Sequence, residues 1–303
     1  MTTVAVVIVA YNDAASLRSC MASLGNSRFT DYNVFIVDNS TTPAVEAEFS
    51  SLPGVEYRRT GRNLGFSRGC NLGIARALQA GAEYVWLLNP DTEVEPDCLG
   101  ELLRAARTFP RAGIVGARIR YASSPDKTWY AGGRLDFVTG VGKHLAESRL
   151  DAHETGYVTG CSMLIPVAVL KRLGGLEESI FMYQDDAEFC MRVRAAGYTL
   201  VYAPAARMAH AVGPGTDWRA YPDYYLYFSV RNRPLISRDP LYRAYLHGVA
   251  WALATVKFLR YLLWPGVSAR GSKLGAIAWG AWDSLFRAER QERRFPRLFN
   301  RPG

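Results

Sequence analysis

Tyr84-Val85-Trp86-Leu87-Leu88-Asn89-Pro90-Asp91-Thr92-Glu93 opens with five apolar residues in a row and shows no helical period. That pattern predicts a strand covered on both faces. Pro90 cannot donate to a ladder, so the strand stops before it and hands over to a polar turn. Asp91, Thr92 and Glu93 then stand at the carboxyl end of a central strand, where open α/β sheets bind their ligands. A carboxylate there suits a divalent cation held against a diphosphate, because such cations take hard oxygen ligands. The plainer alternative is a turn in which Asp91 leads into a helix near Pro96.

Working outward, other strands end the same way. Val4 to Val9 lacks alternation and runs into Ala10-Tyr11-Asn12-Asp13, where Asn12 or Asp13 can cap the next helix. Leu17, Cys20, Met21 and Leu24 give that helix a core face. Val34 to Val37 ends in Asp38-Asn39-Ser40, and Gly54 to Tyr57 starts a third strand before the Gly61 to Asn71 segment. Strand, polar turn and helix in repetition predict an α/β fold with a mostly parallel, doubly wound sheet flanked by helices. A helix is expected from about Asp97 to Thr108, a fifth strand through Ile114 to Ile119, and a further one from Tyr157 to Ile165. Residues 122 to 156 show little periodicity and read as a mobile excursion. Tyr198 to Tyr202 is the last clear strand, with His210 a few residues beyond it.

The helix beginning near Asp185 distinguishes its acids by position. Asp186, Phe189, Cys190 and Val193 share one inward face at i, i+3, i+4 and i+7. Asp185 with Glu188 fits a cap and its partner, and Glu188 with Arg192 fits a solvated pair on the other side. An inward carboxylate is costly unless paired or used, which makes Asp186 a candidate general base. His210 becomes a candidate metal ligand only if Asp91 lies beside it, since imidazole and carboxylate together suit Mn²⁺ or Mg²⁺.

The chain has 303 residues, 49% hydrophobic and 21% charged, enough for a large globular core. Val4 to Val9 is too short for a signal peptide, and no basic stretch precedes it. Cys20, Cys70, Cys98, Cys161 and Cys190 are odd in number and scattered, which predicts reduced thiols in a cytoplasmic setting. From Leu241 onward eleven Lys or Arg face three Asp or Glu, so the last fifth of the chain carries the whole net charge of +8. Aromatics crowd the same region, from Tyr242 to Trp264 and again from Trp279 to Phe286. The expectation is a catalytic domain over 1–240 and, over 241–303, a basic amphipathic helical extension drawn to an anionic membrane surface. The alternative is a helical pair packed on the body or joining two copies into a homo-oligomer. No G-x-G-x-x-G follows Val9, against a dehydrogenase, and no recognition module accompanies the basic tail, against nucleic acid.

Taken in order, Ala10-Tyr11-Asn12, Val37-Asp38-Asn39-Ser40, Arg62 to Asn71, Leu88-Asn89-Pro90-Asp91, Phe181 to Arg192 and His210 resemble family 2 glycosyltransferases, most closely their bacterial rhamnosyltransferase branch. The resemblance covers roughly residues 4 to 235. It implies a GT-A fold and an inverting transfer of a sugar from a nucleoside diphosphate, with L-rhamnose from dTDP-rhamnose preferred. The acceptor implied is a lipid-linked or polysaccharide glycan of the cell surface. By the same resemblance Tyr11 and Asp38 hold the pyrimidine, and Arg62 and Asn63 lie near ribose and phosphates. Ala10, Asn12, Gly65, Asn89 and Gly160 complete the nucleotide-sugar set. Asp91 and His210 would ligate a divalent cation, and Asp186 would be the base. Asn89 replaces the first acid of the family's DxD motif, which implies a weaker metal site. Asp185-Asp186-Ala187-Glu188 also resembles galactofuranosyltransferases, which use UDP-galactofuranose. A non-catalytic membrane-docked scaffold is the third reading. The cellular place implied is the cytoplasmic face of the plasma membrane.

Overall fold

The computed structural model describes residues 2–147, 149–212, 218–285 and 294–295. Its first half alternates strands and helices: β1 (Val4–Ala10), α1 (Ala14–Gly25), β2 (Tyr32–Asp38), α2 (Ala44–Phe49), β3 (Val55–Arg59), α3 (Phe66–Gln79) and β4 (Tyr84–Leu88). β1 pairs in parallel with both β2 and β4, and β2 with β3. Val85, Trp86 and Leu87 are fully buried, as a two-faced apolar strand requires. The Trp86 indole N–H, an apolar core's one polar atom at that position, donates to Ser162 Oγ at 2.9 Å. α3 reaches β1 closely because Gly73 faces Val7, whose Cγ1 lies 2.2 Å from where a Cβ would stand.

The second half is less regular. β5 (Thr92–Val94), α4 (Cys98–Thr108), β6 (Ala112–Tyr121), β7 (Ser124–Tyr130), β8 (Gly133–Asp136), β9 (Val141–His144), β10 (His153–Thr155) and β11 (Ser162–Pro166) precede α5 (Val167–Leu173), α6 (Asp185–Ala195) and β12 (Thr199–His210). The main sheet runs β10-β12-β6-β11-β4-β1-β2-β3, with β11 antiparallel between β4 and β6. Three expectations change here. Residues 122–156 are not a featureless excursion: four strands form in it, β7 and β10 joining the main sheet and β8 pairing with β9. The strand expected from Tyr157 begins only at Ser162, because residues 157–161 turn to meet α6. β12 continues through a bulge after Ala203 and ends on His210, so the histidine lies within a strand rather than beyond it.

α7 (Asp223–Arg231), α8 (Pro240–Leu263) and α9 (Arg270–Ser284) close the described fold. They share a second apolar core in which Leu226, Tyr227, Phe228 and Val230 meet Ala250, Ala254, Ala276 and Ile277, with Phe181 joining from the body. Residue 240, the boundary expected from the sequence, falls at the start of α8. α8 and α9 pack against α7 and the turn at Arg233–Ile236 and leave apolar side chains outward, with Val256 62% and Leu263 76% exposed. Among the described residues no helix is long and apolar enough to cross a membrane. The basic residues from Arg287 to Arg293 and from Arg297 on lie outside the described residues. All five cysteines are buried free thiols.

Candidate active site

The loops after β1, β2 and β3 are tied into one rim. Asp13 caps α1 through a bond from Ser16 N at 2.9 Å, which leaves Asn12 free for another task. Asn12 takes a left-handed backbone (φ +55°), and its Oδ1 accepts from Thr41 N at 2.8 Å and Thr41 Oγ1 at 3.0 Å. Asn12 N donates to Ser40 Oγ at 2.8 Å. Asn39 Nδ2 donates to the Gly65 carbonyl at 3.0 Å, and Asn63 Oδ1 accepts from Gly65 N at 2.9 Å. Gly65 has φ +82°, and a Cβ there would lie 2.4 Å from the Phe181 carbonyl, so only glycine fits. Ala10 is buried, while Tyr11 and Arg62 stand exposed on this rim. Asp38 is fully buried instead: Oδ1 accepts from Ser40 N at 2.8 Å and Oδ2 from the Tyr57 hydroxyl at 2.5 Å. Both of its oxygens thus brace the loop.

Asp91 and His210 do meet, and the strand pairing explains how. Pro90 ends β4, the chain reverses, and β5 pairs antiparallel with β12 in a register that sets Thr92 opposite His210. Ala211 N then donates to the Asp91 carbonyl at 2.9 Å, and Asp91 Oδ2 lies 3.1 Å from His210 Nε2. Asp91 Oδ1 and His210 Nδ1 are buried without a hydrogen-bond partner, a costly state for two polar atoms. Two cis donors each about 2.1 Å from one octahedral cation stand about 3.0 Å apart, so this pair fits a shared cation. Among the described residues no third His, Cys, Asp or Glu joins them. A two-ligand protein set suits a cation that substrate phosphates also hold.

Asp186 faces a cavity of about 600 Å³ lined also by Asn89, Gly160, Asp185, Trp129 and His144. Its Oδ2 accepts from Gly160 N at 3.0 Å and from the Tyr157 hydroxyl, and its Oδ1 accepts from Ala187 N at 2.8 Å. Asn89 joins the two parts of the site: its N–H donates to the Cys161 carbonyl at 3.0 Å, one residue past Gly160. Asp91 itself lies off the cavity wall, beyond Asn89. Trp129 bridges the remaining gap, with ring centroids 4.6 Å from His210 and 4.4 Å from His144.

Two readings of α6 are corrected. Asp185 is not a cap: Gln184 precedes the helix in a left-handed conformation, and Asp185 is buried. Burial, with Asp186 next to it, holds its carboxyl well above the usual carboxylate range. Glu188 and Arg192 are not solvated either. They form a bidentate pair at 2.9 and 2.7 Å, and Arg192 also donates to the carbonyls of Leu173 and Gly175. The loop after α5 and the turn at Arg233–Ile236 cover the face that the helical wheel left open. Burial pushes the Tyr157 hydroxyl well above its ordinary range, keeping it a proton-bearing donor to Asp186, and burial pulls His144 below its own. Tyr157, Trp129 and His144 had no signal in the sequence beyond being aromatic or titratable residues in an unpatterned stretch.

A GT-A-type enzyme is what this sheet and its carboxyl-edge cleft define. The chain belongs to Glycosyl transferase family 2, whose model matches residues 5–174. It is 30% identical over 232 residues to N-acetylglucosaminyl-diphospho-decaprenol L-rhamnosyltransferase of Mycobacterium tuberculosis, covering 68% of this chain and 75% of that one. It is 24% identical over 240 residues to dTDP-rhamnosyl transferase RfbF of Shigella flexneri, covering 77% and 79%. Among solved structures, the mannosyltransferase PcManGT of Pyrobaculum calidifontis, in complex with GDP-Man and Mn²⁺, superposes with a TM-score of 0.58 at 18% identity, over 95% of this chain and 88% of that one. GalNAc-T7 with UDP, GalNAc and Mn²⁺ gives a TM-score of 0.65 at 16% identity; the match takes in 98% of this chain and 58% of that one.

Proposed function

We propose that this glycosyltransferase moves L-rhamnose from dTDP-rhamnose onto a lipid-linked diphosphate glycan, with inversion at the anomeric carbon. The observation that carries the reading is the setting of Asp186: a half-buried carboxylate on a cavity wall, held by Gly160 N–H and Tyr157 O–H. Both donors bond to Oδ2 and Ala187 N to Oδ1, which fixes the carboxylate plane toward the cavity. From there Asp186 takes the proton of the acceptor hydroxyl as that oxygen bonds to the anomeric carbon and the nucleoside diphosphate leaves. Such proton transfer contributes roughly 10²–10⁴-fold.

Asp91 and His210 would hold a divalent cation, which when bound supplies Lewis-acid charge for the departing diphosphate. Tyr11 and Arg62 on the rim would touch the base and the ribose-phosphate. Asp38, Asn12 and Asn63 would act one step back, by holding Ser40, Thr41 and Gly65 in place. Asn89 and Gly160 would border the sugar. The outward apolar residues of α8 and α9, with the basic residues of the same extension, would rest against an anionic bilayer that presents the acceptor. The choice of donor is supported by relatives named as rhamnosyltransferases at 24–30% identity.

The test is a transfer assay with a panel of dTDP-, UDP- and GDP-sugars, a short-chain lipid-diphosphate acceptor and Mn²⁺. Nucleotide release is followed by chromatography and the product anomer by NMR. Turnover with dTDP-rhamnose and an inverted product is expected. Turnover confined to UDP-galactofuranose would move the enzyme to the other donor class, and no turnover with any donor would favour a non-catalytic scaffold.

A further inference from the structure

The cavity that Asp186 faces has a second wall, built from outside the matched family region. Arg233 and Lys257 line it, the first from the turn after α7 and the second from the middle of α8. Arg233 is 4% exposed. Its Nη1 donates to the Thr139 carbonyl and its Nη2 to the Ser229 carbonyl at 3.3 Å, while Nε is buried and has no partner. Lys257 Nζ donates to Ser229 Oγ at 2.9 Å, leaving two of an ammonium's three donors unspent. Both side chains thus use neutral oxygens, and Ser229 serves both.

No carboxylate forms an ion pair with either cation among the described residues. The charge of Asp136 acts on Arg233 without pairing with it, and Lys143 already pairs with Asp136. Burial and the neighbouring Arg233 pull the Lys257 ammonium down to about 8, the mark of a cation short of compensating charge. A buried cation beside a half-buried one, with no ion pair to either, is expensive to keep, and the cost falls when an anion enters. Asp91 and His210, the ligands proposed for the cation of the donor diphosphate, do not line this cavity. The anion expected here therefore comes with the other substrate.

We propose that Arg233 and Lys257 form a diphosphate-binding subsite for the acceptor, so that the acceptor is a lipid-linked diphosphate whose charged group docks between these cations while its sugar meets Asp186. The inference deepens the proposed function and rests on that reading for the role of Asp186. The lipid source follows from the acceptor class of the proposed function, and a free diphosphate is the alternative that the binding test separates from it. On the same helix Val256, Leu259 and Leu263 stand exposed by 62%, 47% and 76%, on the face turned away from Lys257 and the cavity.

The subsite is tested by binding, without any sugar transfer, so the outcome is independent of which sugar is donated. Inorganic pyrophosphate, farnesyl diphosphate and farnesol are titrated by calorimetry into the full chain in EDTA. dTDP is titrated separately with Mn²⁺. The wild-type chain should bind both diphosphates, farnesyl diphosphate the more tightly, and farnesol not measurably. Lys257→Gln should weaken both diphosphates about tenfold or more, the loss of one charge-assisted contact. Lys257→Arg should restore them, and dTDP binding should be unchanged in either variant. Unaltered diphosphate binding by Lys257→Gln would overturn the subsite. An equal loss of dTDP would give the cations to the donor instead. Equal affinity for inorganic pyrophosphate and farnesyl diphosphate would overturn the lipid source. Arg233→Lys, which keeps the buried charge, supplies a second reading if thermal unfolding shows the glutamine variant to be misfolded.

Discussion

Replacing Asp186 by Asn separates its chemical role from its structural one. In the native site Asp186 accepts three hydrogen bonds through two oxygens, from Gly160 N, the Tyr157 hydroxyl and Ala187 N. An asparagine has one acceptor oxygen, so its amide NH₂ must face either Ala187 N–H or the Gly160 and Tyr157 pair. The tyrosine hydroxyl can turn to accept, but a backbone N–H cannot. One unsatisfied donor costs about 1–3 kcal/mol. At about 2–4 °C per kcal/mol for a domain of a few hundred residues, the variant should melt a few degrees lower and stay folded at 25 °C. Loss of the base should remove about 10²–10⁴-fold in kcat, or roughly 3–5 kcal/mol of transition-state stabilisation. Donor affinity should be nearly unchanged, because Asp91, His210 and the rim are untouched. Steady-state transfer kinetics, a donor titration and a melting curve on the same preparation measure all three. Turnover near the wild-type rate would refute Asp186 as the base. A parallel loss of donor affinity would make it a donor-binding group.

Glu188→Gln breaks a pair in which Glu188 is 1% exposed, so it should cost about 3–5 kcal/mol by leaving Arg192 buried without its counter-charge; chemical denaturation measures it, and a change within about 0.5 kcal/mol would fit a surface pair instead. Gly65→Ala places a Cβ against the Phe181 carbonyl at φ +82°, so it should destabilise by more than about 1 kcal/mol and loosen the rim, read as a lower melting temperature with weaker dTDP binding. Leu259→Glu with Leu263→Glu changes two outward residues of α8 and should abolish flotation with anionic liposomes while leaving the melting temperature within a few degrees; flotation equal to wild type would remove this face from membrane binding.

The sheet was legible because β1, β4 and the Val34 to Val37 part of β2 are uniformly apolar, and each runs into a polar turn. Asp91 and His210 were legible as types but not as neighbours. Their meeting depends on the three residues of β5 pairing with β12, too short a strand for any periodicity to report. α6 misled in an instructive way. A helical wheel assumes one wet face, whereas the loop after α5 and the turn at Arg233 cover Glu188 and Arg192. The tail followed the same rule: alternating aromatics and cations in α8 suited a surface helix, yet one face builds a core with α7 and α9. Lys257, lying between apolar residues, belongs to the cavity. Nothing in the order of residues 122–156 announced β7 to β9, which bring Trp129 and His144 to the site.

The most direct test of the convergence of Asp91, His210 and the Asp186 cavity is anomalous diffraction from crystals grown with Mn²⁺ and dTDP. The account predicts one manganese peak ligated by Asp91 and His210 and by diphosphate oxygens, with the thymine on the rim near Tyr11. A manganese ion bound elsewhere, or a nucleotide lying away from the carboxyl edge of β1 and β4, would contradict it.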